Sequence, residues 1–136
     1  MYKRQDGFDA LEGGTGVDVL FGGTDSAGGA ESDVVVYFSA TGPLVFNFGT
    51  NVSEILAGSS AEVLEDTIGT DIEGIFGASN HSNTFNAQAF TGFSFLAGGA
   101  QSDTFNGGSA TDQLIGLGGN DVLYGCLLYT SDAADE

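Results

Sequence analysis

The sequence predicts an all-β fold, a solenoid of short stacked strands interrupted by an irregular middle spacer. Three observations carry this expectation. From Gly98 to Tyr124 one nine-residue pattern runs three times without a break, as GGAQSDTFN, GGSATDQLI and GLGGNDVLY. Within it Asp103, Asp112 and Asp121 are nine apart, and Phe105, Leu114 and Leu123 each follow an Asp by two. Gly13 to Phe21 (GGTGVDVLF) is a further complete copy, with Asp18 and Leu20 in the same places. A six-residue glycine-rich turn and a three-residue strand cannot bury one apolar side chain alone, so each repeat needs its neighbours.

The two ends are set aside from this reading of the fold. Residues 1–5 (MYKRQ) and 126–136 (CLLYTSDAADE) read as translated sequencing adapter. Tyr-Lys-Arg-Gln can be encoded TAT AAG AGA CAG, and the complementary strand in a shifted frame encodes Cys-Leu-Leu-Tyr, so one adapter explains both ends. Neither natural terminus is then expected in the chain. Residues 6–125 contain no Lys or Arg and carry all the carboxylates except Asp132, Asp135 and Glu136. Such a chain repels itself and has no internal cation to pair with, which makes bound metal the expected counter-charge. The same charge argues against nucleic acid or an anionic membrane as partner. Cys126 is the only cysteine, so residues 6–125 can form no disulfide, and calcium can act as the staple instead. No apolar run approaches the roughly 18 residues of a membrane span, so no membrane insertion is expected.

Taken in order, residues 6–36 form a first repeat block. Asp6 to Leu11 reads as the end of a preceding repeat, and Gly13 to Phe21 is the complete copy. The six residues of Gly22 to Ala27 break the phase as a turn insertion; Gly28 to Val36 then resumes it with Asp33 and Val35. Residues 37–77 are a β-rich spacer. Gly42-Pro43 marks a turn, and Leu44, Phe46 and Phe48 alternate with Val45 and Asn47 as a strand with one buried face. Ser59-Ser60-Ala61-Glu62 has the form of a capping box, predicting one turn of helix through Leu64. Asp71 to Gly77 returns to short, glycine-punctuated strands. Residues 78–125 are degenerate and then regular repeats: Asn83 and Ser94 replace the Asp, while Phe85 and Leu96 keep the apolar place. The inward column is thus Leu20, Val35, Phe85, Leu96, Phe105, Leu114 and Leu123.

These repeats resemble the RTX, or haemolysin-type, calcium-binding domain across nearly all of residues 6–125, most specifically in Gly13–Val36 and Gly98–Tyr124. The resemblance implies a right-handed parallel β-roll in which alternate repeats lie on opposite sides and two repeats make one turn. It also implies calcium ions held between loops one full turn apart, by the Asp side chains and by carbonyls of the glycine-rich segment. Hard oxygen ligands and unobstructed backbone suit that ion. The residues so implicated are Gly13, Gly14, Thr15, Gly16 and Asp18; Asp33; Gly98, Gly99, Gln101 and Asp103; Gly107, Gly108 and Asp112; and Gly116, Gly118, Gly119 and Asp121. Asp103 and Asp121, 18 apart, satisfy the register and form the best-supported site. Asp112 faces Ser94, which predicts a half-built site. Asp18 and Asp33 are 15 apart, and the phase slip leaves a shared ion open. Position four, where Gly reaches positive φ cheaply, holds Glu31, Gln101 and Ala110 in three copies, and Leu117 replaces a second-position Gly.

No catalytic or other cofactor-binding residues are expected. His81, the only His, has no nucleophile or orienting partner in sequence and reads as a turn residue. Glu62, Glu65, Asp66, Asp71 and Glu73 could supply an acid/base pair, but read more simply as a solvated acidic face. The expected protein is therefore a non-enzymatic, calcium-binding structural module from a secreted bacterial protein, located outside the cell or on its surface. Its expected partners are calcium and neighbouring repeats or domains of the same parent chain, with no small-molecule substrate. The resemblance further suggests type I secretion. Two alternatives stay open: a spacer or contact segment of a large adhesin or surface-layer protein, and the C-terminal repeats of a secreted protease, lipase or sugar epimerase.

Overall fold

A computed structural model describes residues 2–3, 8–12, 17–23, 32–47, 51–55 and 62–125, with the backbone alone for residues 2–3, 51–55 and 62–65. Its strands are β1 (Tyr2–Lys3), β2 (Ala10–Leu11), β3 (Val19–Phe21), β4 (Val34–Val36), β5 (Leu44–Asn47), β6 (Asn51–Ile55), β7 (Glu62–Ile68), β8 (Gly74–Phe76), β9 (Asn83–Asn86), β10 (Ser94–Ala97), β11 (Thr104–Asn106), β12 (Asp112–Ile115) and β13 (Val122–Tyr124). They form two sheets, in the orders β1-β3-β7-β6-β5-β9-β11-β13 and β12-β10-β8-β4-β2. From β8 onward the chain alternates between the sheets, and each strand pairs in parallel with the one a full coil away. Thr104 meets Val122 and Ser94 meets Asp112, both 18 residues on, so two regular repeats make one coil.

Side chains alternate across a strand, so one apolar residue per repeat points between the sheets. Leu20, Phe46, Phe85 and Phe105 fill the interior from the first sheet; Leu11, Val35, Ile75, Leu96 and Leu114 fill it from the second. Every inward position expected from sequence faces this core, although Leu123 on the last strand is only partly buried. Phe46, Phe85 and Phe105 stack face to face, with centroids 4.8 and 4.6 Å apart and rings within 9° and 7° of parallel. Exact strand register brings identical side chains above one another, and the offset stack is a favoured aromatic geometry.

The spacer departs from the expectation in three ways. First, β6 runs antiparallel to both β5 and β7, so β5, β6 and β7 form a meander that turns back toward β3. In the second sheet β4 pairs directly with β8. The first sheet therefore holds two additional strands there, a length of about 10 Å at the usual strand spacing. Second, Glu62 to Leu64 is strand and not helix, with Val63 opposite Glu54. Pairing with β6 satisfies this backbone, and Val63, Thr67 and Ile68 suit a pleated surface better than a helix. Third, Val45, expected on the outer face, is only 8 % exposed.

Tyr2–Lys3 also joins the first sheet, opposite Leu20 and Phe21. An open strand edge accepts any extended backbone, so this pairing needs no particular side chains. Gly13 to Gly16, the inserted turn after Gly23, Phe48, Ser59 to Ala61 and residues 126–136 lie outside the described residues.

Candidate metal centre

The Asp of each repeat lies two residues before the inward apolar residue and therefore faces the same way. Its carboxylate is taken inside: Asp33, Asp103 and Asp112 are buried, as are their substitutes Asn83 and Ser94. Two sets of hydrogen bonds hold these groups. The first comes from the residue's own turn, where Gly99 N donates to Asp103 Oδ2 at 2.8 Å and Gly108 N to Asp112 Oδ2 at 2.7 Å. The second crosses to the adjacent coil. Asp103 N donates to Asp121 Oδ1 at 2.8 Å, Asp9 N to Asp33 Oδ1 at 2.8 Å, and Ser94 Oγ to Asp112 Oδ1 at 2.6 Å. The result is a ladder of carboxylates running along each sheet.

The glycines make room for this ladder. A Cβ on Gly98 or Gly116 would collide with Oδ2 of Asp103 or Asp121, and one on Gly107 would lie 2.6 Å from Asp112 Oδ2. The second-position glycines allow turns to touch. A Cβ on Gly99 would stand 2.5 Å from the Ala78 carbonyl oxygen and 2.8 Å from that of Ser79; on Gly108 it would stand 2.6 Å from that of Phe90. Turn-to-turn bonds fix the contact, with Ala100 N to Ser79 O and Gly118 N to Gly99 O both at 2.9 Å. Gly119 adopts the expected positive φ of 106° and packs against Gln101. Gln101 and Ala110 do not: among the described residues Leu117, at 71°, is the one non-glycine with positive φ. Position four therefore tolerates other residues by leaving the left-handed region, and the conformational burden falls on Leu117 instead.

The expected site residues separate into groups. Asp103 and Asp121 come together one coil apart, with the turns carrying Gly98, Gly99, Gln101, Gly116, Gly118 and Gly119 stacked beside them. Asp112, with Gly107 and Gly108, meets Ser94 as expected. Asp18 and Asp33 precede strands of opposite sheets and are not brought together. Asp18 N instead donates to Asp66 Oδ1 at 2.7 Å, and Asp33 N to Glu73 Oε2 at 2.9 Å. Gly13, Gly14, Thr15 and Gly16 lie outside the described residues.

Asp66 and Glu73 were thus missed as ladder positions. The signal was present: Asp66 precedes Ile68 by two and Glu73 precedes Ile75 by two, the spacing of the regular repeats, but without their glycine turns. Asp66 is 0 % exposed and accepts a 2.7 Å bond from the Tyr37 hydroxyl. Of the acidic run, Asp66, Asp71 and Glu73 enter the ladder or the turn beside Gly23 and do not form a solvated face, while the side chains of Glu62 and Glu65 lie outside the described residues.

Burial pushes the Asp103 carboxyl above its ordinary range and the Asp121 charge adds to the rise, against hydrogen bonds from Gly99 and Asn83. Among the described residues no three His, Cys, Asp or Glu side chains converge. An ion between these turns would take most of its ligands from backbone carbonyls, with Asp103 and Asp121 supplying the charge. That all-oxygen set suits calcium, which accepts six to eight hard ligands in a flexible shell.

The family of the RTX calcium-binding nonapeptide repeat matches residues 5–26 and 90–125, in four copies. Both blocks are similar to RTX calcium-binding nonapeptide repeats. RTX repeats bind calcium, are structural modules and typically occur in secreted bacterial proteins. The stretch between the RTX blocks contains the meander, Asp66 and Asn83. No curated protein and no solved structure matches the chain. Among the described residues no helix is long and apolar enough to cross a membrane.

Proposed function

We propose that residues 6–125 are a right-handed, calcium-binding structural β-roll module of a secreted bacterial protein, that the module orders on meeting calcium outside the cell, and that it is not itself an enzyme. The observation that carries this is the Asp103–Asp121 pair, linked across one coil by a 2.8 Å bond from Asp103 backbone N to Asp121 Oδ1, between stacked glycine turns in a segment without Lys or Arg. The implicated residues are Gly98, Gly99, Gln101, Asp103, Gly116, Gly118, Gly119 and Asp121, with Asp112, Gly107 and Gly108 as a half-site completed by Ser94.

The residues' own part is to gather negative charge and hold it away from water. Asp103 is 1 % exposed, and desolvation disfavours its ionised form. Without a counter-ion, folding must also overcome repulsion along the ladder, so the chain is held toward its extended, exportable form. Bound calcium supplies the missing positive charge and oxygen coordination. Extracellular calcium modules bind with dissociation constants of roughly 10⁻⁴ to 10⁻³ M, and an ion at ten times that value adds about 1.4 kcal/mol to the folded state.

Circular dichroism of the chain, titrated with calcium after chelation, tests the reading. Strand signal and melting temperature should rise with calcium and fall in chelator, and Asp121→Ala should move the midpoint to higher calcium. An identical melt in both conditions would overturn the calcium-dependent module.

A further inference from the structure

The regular repeats are preceded, one coil back, by residues that bring their own hydrogen-bond donors. On the first sheet Asn83 occupies the Asp place one coil before Asp103. Its Nδ2 faces three oxygens: Ala78 O and His81 O of its own turn, each at 3.1 Å, and Asp103 Oδ1 of the next coil at 2.9 Å. Its Oδ1 accepts from Ala78 N at 2.9 Å, and its backbone N donates to Asp103 Oδ1 at 2.6 Å. The side chain is 2 % exposed and fills the space beside Gly77, where a Cβ would lie 2.7 Å from its Cγ. Two turn carbonyls and a carboxylate from the neighbouring coil are the kinds of oxygen a cation between those turns would gather. Here a neutral amide with two hydrogens gathers them instead.

The second sheet repeats the arrangement with a different side chain. Ser94 stands one coil before Asp112 and gives its hydroxyl hydrogen to Asp112 Oδ1 at 2.6 Å. Both ladders of the regular repeats are therefore preceded by a neutral donor, whereas one coil further Asp103 gives only its backbone N–H to the Asp121 carboxylate and, when ionised, has no side-chain hydrogen to offer. An Asp in place of Asn83 would have no hydrogen to offer and would bring a second charge against a buried Asp103.

We propose that the Asn83 amide takes the place of a metal ion between the turn of residues 77–83 and the turn of residues 98–103. This closes the first coil of the block without calcium and presents a finished edge on which the calcium-dependent turns stack. The inference rests on the calcium reading above, and its test is arranged so that the two can fail separately.

The full chain, Asn83→Asp and Asn83→Ala are melted in chelator and in about 10 mM calcium, well above the roughly 10⁻⁴ to 10⁻³ M range of such modules, and bound calcium is counted by equilibrium dialysis. Asn83→Asp should melt about 5–10 °C below the parent in chelator, return to within about 3 °C of it in calcium, and bind one more ion. Asn83→Ala offers neither hydrogen nor charge and should stay depressed in both conditions. If the parent responds to calcium but Asn83→Asp is lowered equally in both conditions, gains no ion or never folds, the surrogate role is wrong while the module stands. A parent that binds no calcium removes the reading beneath it.

Discussion

Leu117 shows what a single residue contributes to a turn. At φ 71° it occupies a region where a side chain costs about 1–2 kcal/mol, and at 51 % exposure it recovers little by burial. Replacing it by Gly relieves the strain but widens the unfolded ensemble, an opposing effect of about 0.5–1 kcal/mol. Leu117→Gly should therefore raise the calcium-loaded melting temperature by a few degrees, about what 0.5–1 kcal/mol gives in a domain of this size. Gly119→Ala, forced into φ 106° with its Cβ 2.5 Å from the Gln101 carbonyl carbon, should lower it. Equal melting of both variants and the parent would mean that these turns do not limit stability. Sequence identified Leu117 as a departure from the pattern. It could not show that Gln101 and Ala110 are harmless, because their φ depends on how each turn meets the coil beneath it.

At the level of elements, the stacked rings hold the register of the first sheet. Phe85 lies between Phe46 and Phe105 with a ring on each face, so truncating it opens the centre of the stack. Phe85→Ala should cost about 3–5 kcal/mol, enough that strand signal does not develop even in saturating calcium. Phe85→Leu should fold in calcium with a melting temperature below the parent's. A cooperative melt of Phe85→Ala close to that of the parent would show that register is set elsewhere. Phe85 and Phe105 were legible because the nonapeptide phase marks them. Phe46 was legible only as a buried strand position, since its place above Phe85 follows from how the meander lands. Neither β6 nor the return to β3 could be read from spacing: a one-dimensional repeat cannot announce that the chain will double back. Asp66 and Glu73 escaped for a related reason, as their turns lack the glycines that identify the other ladder positions.

For the whole molecule, the sign of the pH dependence should reverse with calcium. Asp103 binds a proton more tightly folded than unfolded, because burial raises its pKa above the ordinary 3.8. Without metal, the stability tied to this group is present at pH below 3.8 and is lost as pH rises through the folded value. Self-repulsion in a chain of net charge −17 acts in the same direction, since acid removes charge. In chelator, the melting temperature should thus be higher near about pH 4.5 than near about pH 7, and Asp103→Asn should flatten the difference. In calcium the order should invert, because ionised carboxylates hold the metal and protons compete with it. Melting at both pH values, with and without calcium, gives four temperatures whose crossing is the measurement. Stability that rises with pH in chelator would show that hydrogen bonds within the ladder outweigh desolvation and repulsion. The carboxylates would then be held by the protein's own amides, and calcium would add to a roll that is already folded.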